Sequence, residues 1–228
     1  MRTFLGLTLG AVILAAMLVD AAHAQNGAIY VVAYMEVMPK AAAPGAMLLK
    51  SYRDVSREQA GNMRLDVLQE MARPNRFVVL EVWSGSAARD AHLKTASVGE
   101  LGERFKAIEN APPDVRLNNG LYLEPTEDKS APDPVYVVTH VDVLPASKDN
   151  CVALLGAMST DTRSDPGNIS YDVLQQTNRA NHFTVVEEWA NRKALDGHAM
   201  AAHTLAFREK LSPMAGALFD ERFYAIMR

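Results

Sequence analysis

"YDVLQQTNRANHFTVVEEW" (Tyr171–Trp189) has a near-copy 106 residues earlier, "LDVLQEMARPNRFVVLEVW" (Leu65–Trp83). The earlier copy reads as two β-rich runs folded into a hairpin around "ARPN". Each copy ends in Glu-x-Trp, and each is followed nine residues later by a histidine, His92 or His198. The same offset extends outward, because "YVVAYMEVMP" (Tyr30–Pro39) falls on "YVVTHVDVLP" (Tyr136–Pro145) without a gap. It holds through Gly61-Asn62 on Gly167-Asn168, Asn75 on Asn181 and Asp90 on Asp196. The chain is a tandem repeat.

Within one repeat the pattern is strand, helix, two strands, helix, strand. "IYVVAYMEVM" is β-branched and aromatic and ends at Pro39. The next segment places Met47, Leu48, Tyr52 and Val55 at helical spacing and closes at Gly61. After the hairpin comes one helix over "AARDAHLKTA", with Ser84 or Ser86 as its cap, and then a returning strand, "RLNNGLYLE". This order predicts an α+β fold of two ferredoxin-like βαββαβ domains, residues 28–124 and 134–228, joined by the polar, Pro-containing linker 125–133. Each sheet carries helices on one face only and must hide the other. Phe77, Val79, Glu81 and Trp83 point one way and Val78, Leu80 and Val82 the other, so both faces are buried. The bare faces therefore pack on each other into an intrachain, pseudo-dimeric α/β barrel. Two independent domains would leave both faces in water.

With 22% charged and 49% hydrophobic residues, the 228-residue chain has the composition of a globular protein. A net charge of -4 without a basic block argues against nucleic acid and against anionic membrane surfaces as partners. The N-terminus reads as a secretory signal: Met1-Arg2-Thr3, an apolar run to Val19, and small residues at Ala22 and Ala24 around a cleavage site. Processing after Ala24 leaves a periplasmic or secreted chain with no stable membrane insertion. The alternative is an uncleaved anchor. Cys151 is the single cysteine, so no intrachain disulfide forms, and it reads as a small buried hydrophobe.

The runs Pro166–His203 and Gly61–His92 carry a Gly, a Tyr-Asp-Val-Leu-like strand, Asn-x-Phe, Glu-x-Trp and an Ala-Leu-x-x-His helix. In this the chain resembles the antibiotic biosynthesis monooxygenase-like domains of the dimeric α/β-barrel superfamily. The resemblance implies a small-molecule site between helices and sheet, and a range of activities from cofactor-free quinol or polyphenol oxygenation to haem degradation, sugar isomerisation or none. Haem-degrading relatives use an Asn in the first strand, where this chain has Tyr34-Met35-Glu36 and His140-Val141-Asp142. The expectation is cofactor-free oxygenation of a quinol-like aromatic by dioxygen, with a non-catalytic binder of the same fold as the alternative.

Four of the five histidines after the signal, His140, His182, His198 and His203, lie in the second repeat, which marks it as the working half. There His198 is expected as general base and Trp189 as a stacking wall, with Tyr171, Asn168 and His203 as orienting groups. Glu187 and His140, together with Trp83, His92 and Asn62 of the first repeat, are the expected substrate-binding residues. The competing reading makes Trp189 a core residue and His198 a satisfied helix histidine. No metal is expected: on a continuous helix His198 and His203 stand about 140° apart, whereas ligand pairs favour spacings of three or four. No phosphate loop or nucleophile elbow occurs. As a pseudo-dimer the chain completes its barrel as a monomer, or assembles further as a homo-oligomer.

Overall fold

In a computed structural model, residues 27–124 and 130–228 are described; the signal segment and most of the linker lie outside them. The first repeat runs β1 (Ile29–Val37), α1 (Ala42–Arg57), β2 (Asn62–Glu70), β3 (Arg76–Trp83), α2 (Ser86–Leu93), α3 (Ala96–Lys106) and β4 (Glu109–Tyr122). The second runs β5 (Val135–Asp142), α4 (Lys148–Thr162), β6 (Asn168–Gln176), β7 (His182–Trp189), α5 (Arg192–Ala199), α6 (Ala202–Leu211) and β8 (Asp220–Ile226). Where one helix was expected after each hairpin, two form. The first pair breaks at Thr95 and the second at Ala201, both with extended backbone (ψ 144° and 146°). Neither break contains Gly or Pro, so no sequence signal announced it. The expected serine caps are also absent. Gly85 occupies the N-cap of α2 without a side-chain bond, while Asn191 caps α5 by accepting from the Ala194 amide at 3.0 Å.

Each repeat forms the four-stranded antiparallel sheet its sequence predicts, and the sheets do more than stack. The strand order β1-β3-β2-β8-β5-β7-β6-β4 closes into one barrel, because β2 pairs with β8 (Leu68 opposite Ile226) and β4 with β6 (Asn119 opposite Gln175). Closure leaves no unpaired edge between the repeats. The interior is shared: Val32, Leu68, Val78 and Leu80 meet Tyr136, Val138, Leu174, Val186 and Tyr224. Arg64 also reaches across from the first repeat to Asp172 of the second, at 3.7 Å. On the outer faces, Phe77, Val79 and Phe105 form the helix-side core of one repeat, and Phe183, Val185, Leu155 and Phe207 that of the other. Cys151 belongs to the second of these, and burial pushes its thiol up to about 12.

The turns from α1 into β2 and from α4 into β6 are set by Gly61 and Gly167, both at φ 82°. That conformation suits glycine. Space requires it too, since a Cβ at either site would lie 2.6 Å from the Cβ of Ala88 or Ala194. These contacts dock α2 and α5 against the strand starts, and so carry His92 and His198 into the space over Trp83 and Trp189.

Because the barrel interior draws on both halves, the repeats should unfold as one unit. Leu68→Ala should cost about 2–5 kcal/mol. The loss should appear equally at Trp189, followed by fluorescence during urea unfolding in a Trp83→Phe background. A Trp189 transition unmoved by Leu68→Ala would show that the halves unfold separately.

Candidate active site

Both repeats bury a carboxylate two residues before a tryptophan at the end of their third strand, on the helix side of the sheet. Trp83 donates from Nε1 to Glu81 at 2.7 Å, and Trp189 to Glu187 at 2.9 Å. The following helix lays a histidine against each indole, with ring centroids 4.6 Å apart for Trp83 and His92 and 4.7 Å for Trp189 and His198. Both indoles are fully buried. Trp189 thus packs against His198 at an interplanar angle of 37°, and the cavity wall is made by other residues.

The first repeat closes its copy. Tyr52 donates from its hydroxyl to Glu81 at 2.8 Å and lies 3.2 Å from His92 Nε2, while Ser56 Oγ lies 3.3 Å from the same nitrogen. Both oxygens of Glu81 are engaged, and His92 is buried. Trp83 and His92, expected to bind substrate, form a packed polar core instead.

At the position equivalent to Tyr52 the second repeat has Met158, which cannot donate to the carboxylate. A small cavity of about 20 Å³ opens there, lined by Met158, Tyr171, Glu187, His198, Thr204 and Phe207, with Arg208, Phe219 and Glu221 toward solvent. Burial pushes Glu187 up to about 8, against the opposing effect of its bond from Trp189, so it is protonated at neutral pH. Burial also raises the Tyr171 phenol well above its ordinary value, which keeps that hydroxyl neutral.

His198 is held from behind. Its Nδ1 lies 2.7 Å from Asp165 Oδ2, and a carboxylate can only accept, so Nδ1 carries the proton and Nε2 is free to accept one. Burial lowers its pKa, against the raising effect of Asp165, and leaves the imidazole neutral. Nε2 faces Glu187 Oε2 at 3.9 Å and Thr204 Oγ1 at 3.4 Å. His203 Nε2 comes within 3.1 Å of the same Asp165 oxygen. This meeting depends on the break between α5 and α6, and the expectation that the two histidines diverge fails because their helix is not continuous. Asp165 and Thr204 are the site residues that the sequence reading missed. Asp165 sits in the turn "SDPG" before β6, where an aspartate reads as ordinary turn chemistry.

Other expected residues lie elsewhere. Asn62 and Asn168 start β2 and β6, each opposite a tryptophan and next to a register shift. Asn168 donates to the Ser170 carbonyl at 3.2 Å and does not line the cavity. His140 points to the barrel side of β5, as do its neighbours Tyr136 and Val138, and lies 3.3 Å from His182 and away from the helix-side cavity.

The sequence matches the antibiotic biosynthesis monooxygenase family over residues 28–107 and again over 134–210. The chain belongs to that family, with two copies of its domain. It is 33% identical over 98 residues to the uncharacterized protein sll1783 of Synechocystis, an overlap of 43% of this chain and 67% of that one. It is 31% identical over 83 residues to "Putative monooxygenase YcnE" of Bacillus subtilis, covering 36% of this chain and 87% of that one. The FN1347 protein of Fusobacterium nucleatum superposes with a TM-score of 0.79 at 12% identity, covering 89% of this chain and 93% of that chain, a likeness of fold.

The protonated Glu187 has a thermodynamic consequence. Between its ordinary pKa of 4.5 and about 8, the folded chain holds a proton that the unfolded chain releases, so stability falls as pH rises through that window. The loss should reach a few kcal/mol, on the order of one per pH unit. Glu187→Gln should flatten the dependence in urea unfolding at pH 5, 7 and 8.5. An equal slope in the variant would place the titration elsewhere.

Proposed function

We propose that this protein is an exported oxygenase that acts, without an organic cofactor, on a quinol-like or polyphenolic aromatic. The observation that carries the reading is the Asp165–His198 pair, 2.7 Å apart, with His198 and the buried Glu187 on one cavity wall. His198 Nε2 takes the phenolic proton, and Asp165 stabilises the imidazolium that results. The phenolate is electron-rich enough to give an electron to dioxygen. Recombination of the two radicals forms a carbon-bound peroxide, and Glu187, protonated at neutral pH, donates to its outer oxygen. The O–O bond then breaks as the peroxide-bearing carbon gives its C–H proton back to Glu187, and the departing hydroxide takes the proton of the His198 imidazolium. In sum the substrate loses two hydrogens and gains one oxygen atom, while the other oxygen leaves as water. The substrate supplies every electron. The name of YcnE points to the same class of reaction.

The cavity as it stands holds little more than a water molecule. An aromatic ring enters only if the outer wall moves, and Phe219, 43% exposed beside the 93% exposed Leu218, is the wall residue with room to swing outward. The same small volume favours a second reading, a protein of this fold that binds small molecules without turning them over.

General-base help is typically worth about 100- to 10,000-fold in rate. Oxygen uptake with a panel of quinols should fall by at least 100-fold in His198→Ala, while His92→Gln, in the closed first repeat, should keep most of it. Wild-type protein that quenches with aromatics yet consumes no oxygen would install the second reading. Export has its own check: mass spectrometry of the periplasmic or secreted fraction should find Gln25 at the N-terminus, and an intact Met1 in membranes would reverse that part of the proposal.

A further inference from the structure

Three donor atoms converge in the second repeat: Asp165 Oδ2, His198 Nδ1 and His203 Nε2. They lie within 4.8 Å of one another, with Asp165 at 2.7 Å from the first imidazole nitrogen and 3.1 Å from the second. We propose that these three side chains form a binding site for one divalent transition-metal ion of the zinc or cobalt type.

Two imidazoles and a carboxylate match the preferences of such ions, and three protein ligands leave further positions for water. Ligands held at about 2.0–2.1 Å in a tetrahedral site stand roughly 3.3 Å apart. The edge from Asp165 to His203 is close to this value, and a small rotation of the Asp165 carboxyl lengthens the other. Two features point to a ligand beyond the cluster itself. His203 Nε2 is buried and has no hydrogen bond of acceptable geometry. Once His198 is bound through Nδ1, its remaining proton sits on Nε2, and Thr204 Oγ1, 3.4 Å from either ring nitrogen, is the acceptor within reach, the kind of outer partner that metal-bound histidines use.

The repeat supplies an internal comparison. The positions equivalent to Asp165 and His203 are Gln59 and Ser97, so the first half keeps one imidazole and loses the other two ligands. Among the described residues one other cluster has metal-ligand chemistry, His140, Asp142 and His182 at the barrel end. There His182 already turns one nitrogen to His140 and the other to Asp142. Arg116 acts on both imidazoles against the charge of Asp142, as Arg208 acts on His198 against Asp165 at the proposed site, so it is the engagement of both His182 nitrogens that sets this cluster apart. One ion per chain follows. Binding also removes the base proposed above, because the tautomer that ligates through Nδ1 has no lone pair at Nε2. The ion and the oxygenase reaction therefore exclude each other at His198, while the ion site itself stands on geometry alone.

The test needs no substrate. Purified chain titrated with Zn²⁺ by calorimetry, and with Co²⁺ by its visible d–d absorption, should take up one equivalent and show the bands of a nitrogen- and oxygen-ligated ion. Loss of one protein ligand should cost more than the 10- to 100-fold typical of outer-shell changes. His203→Ala and Asp165→Asn should accordingly weaken uptake at least 100-fold, and His182→Ala should leave it unchanged. Wild-type chain that takes up neither ion, uptake lost only in His182→Ala, or His203→Ala and Asp165→Asn variants that bind like wild type would each overturn the proposal. Circular dichroism identifies a variant that fails to fold, and the Co²⁺ spectrum of the intact chain then decides on its own, since bands without imidazole ligation would overturn the site.

Discussion

An antiparallel sheet with helices on one side has a second apolar face that water must not reach, and this constraint organises the whole chain. Tyr136, Val138 and Tyr224 of one repeat cover Val32, Leu68 and Leu80 of the other, and the edges β2–β8 and β4–β6 close the seam with backbone hydrogen bonds. Neither half covers its barrel face alone. The same arrangement turns both helix layers outward, so that each repeat has its own space between helices and sheet, with Leu121 and Tyr122 of the first repeat packing on the helix-side core of the second and Met227 on that of the first. Those spaces can change independently while the barrel stays the same.

What each space contains is governed by the buried carboxylate beside the tryptophan. A buried carboxyl group needs hydrogen-bond donors or must take up a proton. Glu81 meets the need with two donors, Trp83 and Tyr52. Glu187 has the indole but faces Met158 where Tyr52 would stand, and it responds by holding its proton to about pH 8. With methionine in place of tyrosine the second repeat has one donor fewer, and a neutral acid lies next to a neutral imidazole at the cavity. That pairing of a proton donor with a proton acceptor is what acid–base chemistry requires.

The repeat, the strand order and the two-faced strands were legible because they are written in period-2 alternation and in an ungapped offset, which survive any change of individual residues. The family's Glu, Trp and His were legible for the same reason. The site's third dimension was not. Asp165 lies 33 residues from His198, in a turn whose composition explains itself locally. The break at Ala201 lacks a breaker residue, so a helical wheel separates His198 from His203 although the chain brings their rings to 5.5 Å. His140 could have been placed correctly: it shares its parity with Tyr136 and Val138, and that parity faces the barrel. The water-sized cavity and the turn of Trp189 away from it depend on how side chains fill space, which no one-dimensional pattern records.

Asymmetry between the repeats also has an energetic logic. The first repeat ties Tyr52, Ser56, Glu81, Trp83 and His92 into one connected network that engages both oxygens of Glu81 and leaves His92 Nδ1 buried without a partner. The second repeat crowds Asp165, Glu187, His198 and His203 together and keeps the Glu187 carboxyl neutral by burial, which costs stability. In a symmetric dimer of single domains both halves would carry that cost. Here the two halves share one barrel interior, so the cost of the neutral carboxyl falls on one repeat only, at the cavity where a proton sits on Glu187.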